Sequence, residues 1–211
     1  MNLYLDNCCF NRPFDDQTQL RIRLETEAKL YIQARILDGK YNLAWSYMLD
    51  FENAQNPFEQ RKETVQNWRE IAFIDINEND KVISLAEKIA SKGLKPKDVL
   101  HIACAIVAGC EYFITTDSKI LNKSVEGIIL IDPIGFIKLE RIFTMMTDTV
   151  LKSTGMKILI EKLGKVGAER FIALVIKEPF DYTKWQSEIF EGMSVKEVSE
   201  AAMEHRKNQD Q

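Results

Sequence analysis

Five short runs of apolar residues recur along the chain, separated by longer stretches in which apolar positions return every three or four residues. The runs are LYLD (3–6), NLAWS (42–46), AFIDI (72–76), YFITTD (112–117) and IILIDP (128–133). The last two are continuous rather than alternating, the pattern of parallel strands covered on both faces. The stretches between them predict helices over 17–37, closed by Gly39, over 47–56, ending before Pro57, and over 58–71. Another carries Val82, Leu85, Ala86 and Ile89 at helical spacing and stops at Gly93. The next, from Pro96 to Cys110, is almost wholly apolar and suits a buried position. NCCFNRPFDD (7–16), polar and proline-bearing, reads as a loop. Strands alternating with helices predict an α/β fold on a doubly wound sheet.

Beyond Ile142 the pattern changes. From Lys152 onward it is helical without a convincing strand, and Gly164, Gly167, Pro179 and Gly192 divide it into three or four short helices. The expected organisation is an α/β domain over 1–145 and an all-helical module over 146–211. Met146, followed by small polar residues, resembles the start of an independent polypeptide, so the junction reads as a fusion point or as a plain linker. About 60 residues of amphipathic helix bury little core alone, so the module is expected to dock on the first domain or on a second chain, giving a homo-oligomer in the latter case.

Composition narrows the chemistry. With 28 basic and 32 acidic residues the net charge is -4, so no long-range attraction to a polyanion is built into the total. No apolar run approaches the roughly 20 residues of a membrane span, and a cytoplasmic protein without membrane contact is expected. Cysteines at 8, 9, 104 and 110 lack zinc-ligand spacing, and with only His101 and His205 beside them they read as buried free thiols.

The acidic residues carry more. Asp6 and Asp117 fall at the carboxyl ends of predicted strands, where doubly wound sheets bind ligands. Asp98 opens the buried helix, where a plain N-terminal cap is the alternative. Glu52 lies on the helix after the second strand, and the residues themselves do not choose between it and Asp50. Asp6, Asp98 and Asp117 gathered at one crevice would repel each other, and a divalent cation relieves this; hard oxygen donors point to Mg²⁺ or Mn²⁺.

LYLDNCCFNRPFDD, the FEN of YMLDFENAQNP, KPKDVLHIACAIVAGC and YFITTDSKIL, in this order and spacing, resemble a PIN-domain nuclease, most of all the VapC type of toxin ribonuclease. The resemblance covers about residues 1–142. It implies a three-layer α/β/α fold around a parallel five-stranded sheet, with Asp6, Glu52, Asp98 and Asp117 as the catalytic, metal-binding acids and Thr116 and Asn7 as polar support. It implies metal-assisted hydrolysis of an RNA phosphodiester. GMKILIEKLGKVGAERFIAL and DYTKWQSEIFEGMSVKEV resemble the small antitoxin-type proteins that accompany such toxins. The expectation is autoinhibition: helices over 158–200 mask the crevice in cis or on a neighbouring copy, with Arg206 or Lys207 paired to the carboxylates.

Other residues weigh less. His101, one turn after Asp98, is read as a buried histidine bonded to a nearby carbonyl or carboxylate rather than as a general base. Arg12, Arg21, Arg23 and Lys119 flank the crevice in sequence as possible phosphate contacts, and Trp45, Tyr47, Phe51 and Trp68 are expected in the core. The competing readings are a catalytically silent PIN-fold module that binds or regulates nucleic acid and, less well matched because Cys8 stands where a second aspartate is needed, a haloacid-dehalogenase-type phosphatase.

Overall fold

A computed structural model of the chain describes residues 1–139, 148–177 and 192–209. Strands β1 (Asn2–Leu5), β2 (Asn42–Ser46), β3 (Ile74–Ile76), β4 (Tyr112–Ile114) and β5 (Ile129–Ile131) form one sheet in the order β3-β2-β1-β4-β5. Every pairing is parallel, with Leu3 opposite both Leu43 and Tyr112. Leu3, Tyr4 and Leu5 are wholly buried, which is why the central strand has no polar alternation. The order reverses at β1, and the crevice at such a switch point opens between the carboxyl ends of β1 and β4.

The connecting helices are α1 (Asn7–Asn11), α2 (Leu20–Leu37), α3 (Tyr47–Ala54), α4 (Glu59–Gln66), α5 (Asp80–Ala90), α6 (Pro96–Val107), α7 (Ser118–Leu121) and α8 (Pro133–Leu139). Helices α2 and α8 pack together, as do α5 and α6, giving the expected α/β/α layering. Pro96 opens α6 at a first-turn position, where its missing N–H costs nothing.

Three expectations need correction. The segment 7–16 is not an open loop: the Cys9 N–H donates to the Asp6 carbonyl at 2.8 Å, starting α1, and a 3-10 turn follows over Arg12–Phe14. Its driving force is burial of Cys8, Cys9 and Phe10 beneath a locally polar sequence. The helix expected over 58–71 ends at Gln66 and resumes as a 3-10 turn at Arg69–Ile71. Strands β4 and β5 stop at Ile114 and Ile131, short of the predicted 117 and 133, because Asp117 caps α7 and Pro133 begins α8.

The C-terminal region begins with α9 (Asp148–Lys177), broken where Gly164 takes φ 71°, a conformation open to glycine. It exposes Ile158, Leu163, Val166, Phe171, Leu174 and Val175. Pro179, the Met146 junction and most of DYTKWQSEIFEGMSVKEV lie outside the described residues. The last helix, α10 (Val195–Gln209), packs on α3, α5 and α6 of the sheet domain. Val198 and Ala202 are fully buried in the same core cluster as β1, and the hydroxyls of Ser199 and Tyr47 are 2.6 Å apart. Burying Val198 alone contributes about 1.5–3 kcal/mol. The end of the chain therefore completes the hydrophobic core of its beginning.

Candidate active site

The end of β1 is fastened to β4 by the Asp6 N–H, which donates to the Ile114 carbonyl at 2.9 Å. This turns the Asp6 carboxylate to the residues that leave β4. Its Oδ2 accepts from the Thr115 hydroxyl at 2.7 Å and from the Cys8 thiol at 3.2 Å. The Thr115 oxygen in turn accepts the Asp117 N–H at 3.1 Å, and Asp117 Oδ1 accepts the Lys119 N–H at 2.7 Å, capping α7. The carboxylate that closes the β4 segment is thus held by the backbone of the helix it caps.

Helices α3 and α6 supply the opposite wall. Lys97 and His101 are four residues apart on α6 and share the face that meets α3. Both reach Glu52: the Lys97 ammonium lies 2.5 Å from Oε1 and His101 Nε2 lies 3.0 Å from Oε2. Glu52 is fully buried, so these partners replace its lost hydration. The Tyr4 hydroxyl is 2.7 Å from His101 Nδ1 and 2.6 Å from Ser46 Oγ, which accepts the Leu49 N–H at 3.4 Å. Every member is satisfied if Tyr4 donates to Nδ1 and Nε2 carries the proton that goes to Glu52. Asp98, in the first turn of α6, lies 3.9 Å from Lys97 Nζ. Ligand atoms of Asp6, Glu52 and His101 all lie within 4.8 Å of one another.

Electrostatics separates these carboxyls. Burial would raise Glu52, but Lys97 and His101 outweigh it and hold the carboxyl at about 2. Burial raises Asp6 well above the usual carboxylate range, with the Cys8 and Glu52 charges adding to it against His101 and Lys97. Burial also raises Asp98, where Glu52 and Asp117 oppose Lys97. Two carboxyls held off their charged state by desolvation and like charge, beside hard oxygen donors and one imidazole, are a donor set suited to a divalent cation. The stabilisation given by saturating Mn²⁺ is therefore expected to be larger near pH 7.5 than near pH 5. The native-state advantage of the protonated Asp6 and Asp98 is present below the ordinary carboxylate range and is lost as pH rises through their raised values. A cation binds only their ionised forms and takes over that role at the higher pH. Glu52 has the opposite sign and stays ionised across this window. Melting curves with and without Mn²⁺ at the two pH values check this; an equal shift at both would contradict it.

The structure brings Asp6 and Glu52 together with His101, whereas Asp98 reaches the group through Lys97, 3.9 Å away, and Asp117 bears on Asp98. Asp50, the alternative to Glu52, faces away: its carboxylate accepts from Trp45 Nε1 at 2.7 Å and pairs with Arg206 of α10 at 2.5 Å. Arg206 also pairs with Asp75 at 2.8 Å, so it meets carboxylates as expected, but not those of the crevice. Lys207 is exposed. Asn7 is buried beside Asp6 and accepts from Asn11 Nδ2 through both its backbone and side-chain oxygens. The hydroxyl that orients Asp6 belongs to Thr115, whereas Thr116 presents its N–H to Cys8 Sγ at 3.4 Å. Arg12 is buried between Asp15 and Glu25 and Arg21 pairs with Glu25, while Arg23 and Lys119 are exposed. Trp45, Tyr47 and Phe51 lie in the core, Trp68 packs against it, and all four cysteines are buried free thiols. Lys97, Thr115 and Tyr4 are the participants that sequence reasoning missed. The Lys97 and His101 spacing was the available signal for the first.

No helix among the described residues is long and apolar enough to cross a membrane. Neither the curated proteins nor the solved structures returned a match to the chain. Residues 3–125 match the PIN domain, a nuclease fold whose members are usually metal-dependent, and the matched segment holds every residue of the crevice. Because that match spans more than half of the 211 residues, the chain belongs to the PIN-domain family.

Proposed function

We propose that the protein is a metal-dependent endoribonuclease of the VapC toxin type, restrained by an antitoxin-like segment over 146–211 that it carries in the same chain. The observation that supports this most is the meeting of Asp6 and Glu52 with His101 at the switch point of the sheet, with Asp98 beside them across Lys97. Asp6, Asp98 and Asp117 would hold a divalent ion, Mg²⁺ or Mn²⁺, with Glu52 beside them. When bound, such an ion lowers the pKa of a water and neutralises charge on the phosphate. Thr115 fixes the rotamer of Asp6, with Thr116 and Asn7 next to it as polar support. His101 and Lys97 fix Glu52, and Tyr4 fixes His101. RNA is the substrate, in the cytoplasm, and the net negative charge leaves its recognition to the cations and a few local contacts.

The restraint is supported by the exposed apolar face of α9, which is made to rest on another surface, in cis or on a second copy. The full-length chain is expected to cleave total RNA slowly with Mn²⁺ and not at all with chelator. Leu163→Asp with Phe171→Asp should raise the rate roughly tenfold or more, the effect of losing about 1.4 kcal/mol of restraint. Gel analysis of end-labelled RNA reads both. Cleavage that survives the chelator overturns the metal dependence, and an unchanged rate in the double variant overturns the restraint.

A further inference from the structure

The crevice is acidic, but one of its edges is not. Segments 88–98 and 117–124, which hold Asp98 and Asp117, carry six lysines against those two aspartates, in a chain whose net charge is -4. Folding brings the two segments together. Gly93, in the turn between α5 and α6, takes φ 72°, and the position that a Cβ would occupy there is 3.9 Å from Lys123 Nζ. Lys123 therefore reaches from beyond the end of α7 onto the α5–α6 turn, where Lys92 stands next to Gly93. Lys119 lies four residues before Lys123, and its N–H is the one that Asp117 caps. Lys92, Lys119 and Lys123 are all exposed, and among the described residues none of them pairs with a carboxylate. On the α1 side, by contrast, the cations are committed within the fold: Arg12 is buried between Asp15 and Glu25, and Arg21 pairs with Glu25.

We propose, on the reading of this crevice as that of a ribonuclease, that Lys92, Lys119 and Lys123 form a phosphate track that lays an RNA strand over the α5–α6 turn and α7, beside Asp98 and Asp117. Three ammonium groups on separate, solvated stems suit the repeated charges of a backbone rather than a single buried anion. As point charges they position the strand and read no base. The net charge of the chain repels a polyanion at long range, so a strand is held where lysines locally outnumber acids.

The test measures binding apart from cleavage. The full-length chain is titrated in excess chelator into a fluorescein-labelled single-stranded RNA, and anisotropy reads the bound fraction. Lys92→Gln with Lys123→Gln removes two exposed charges without touching the core. It should weaken binding at low salt by about tenfold or more and lower the slope of log K against log salt by about 1.4, the share of two phosphate contacts on a single strand. Lys40→Gln with Lys138→Gln removes the same charge at the other end of the sheet: Lys40 precedes β2, and Lys138 lies just beyond Phe136, whose ring meets Tyr41 and Tyr112 at the strand starts. That pair should leave the affinity within about twofold of wild type. Equal weakening in both pairs, or no weakening in the first, overturns the track. Poly-L-glutamate bound as tightly as RNA would make the edge a docking site for an acidic protein and overturns it as well. Binding that is lost in the first pair, in a chain that cuts no RNA with Mn²⁺, keeps the track and removes the nuclease reading. A wild type that binds no RNA at low salt, with chelator or with Mn²⁺, overturns both.

Discussion

Asp6→Asn is expected to reduce RNA cleavage by the full-length chain at least ~1000-fold, the loss of several kcal/mol of charge stabilisation at a metal-dependent site. The substitution is nearly isosteric, and the amide oxygen can still accept from Thr115 and Cys8, which now donate at 2.7 and 3.2 Å. What it removes is a formal charge at the point where β1 and β4 part. The fold should survive, and the buried position should become easier to occupy, because the carboxyl there is already held off its charged state by burial. The expected pair of results is an unchanged or raised melting temperature with cleavage abolished. Cleavage within tenfold of wild type in a folded Asp6→Asn protein would remove Asp6 from the chemistry and favour a silent nucleic-acid-binding module.

Arg206→Met should lower stability by about 3 kcal/mol, or about 10 °C in melting temperature. Asp50 has no exposed side-chain surface, and Arg206 gives it two contacts, from Nε at 2.8 Å and from Nη2 at 2.5 Å. Among the described residues, removing the guanidinium leaves a buried carboxylate with Trp45, Gln66 and, at 3.5 Å, Arg69. Those remaining donors keep the cost at the low end of what breaking a buried ion pair brings. Asp50→Asn together with Arg206→Met should recover much of the loss, since the uncompensated charge is gone while Trp45 keeps an acceptor. Thermal melts of the two single variants and the double close the cycle. A melting temperature for Arg206→Met within 2 °C of wild type would mean that α10 is held by its apolar face alone.

The sheet was legible because five apolar runs separated by helical spacing admit few other arrangements, and the acids at two strand ends followed from where such sheets bind ligands. The residues could not separate Asp50 from Glu52. Two positions apart on a helix they point about 200° apart, but both faces of α3 are buried, so no apolar stripe marks which one looks inward. The family resemblance chose Glu52, and in the structure α6 brings Lys97 and His101 against it. Lys97 was hidden for a related reason. KPKD reads as a solvated helix start, and only the docking of α6 on α3 turns that lysine into a buried counter-charge. Thr115 and Thr116 differ by a single position of the pleat, which the sequence cannot assign without knowing that the β4 ladder continues through the Thr115 N–H to Ile131. The tail pattern around Val195, Val198 and Ala202 showed an amphipathic helix but not the surface that receives it.

The hydrogen-bonded chain from Leu49 through Ser46, Tyr4 and His101 to Glu52 begins and ends on α3, passing through β1 and α6 on the way. It is therefore a closed circuit whose links come from four separate elements. Tyr4 occupies its place only when β1 is paired in register with Ala44 and Phe113. A slip of one residue would carry its ring to the other face of the sheet and open the circuit at two links. A chain that collapses with its central strand out of step would then lack not only part of its core but also the seat of Glu52, so misfolded copies of this protein would be born without a working crevice.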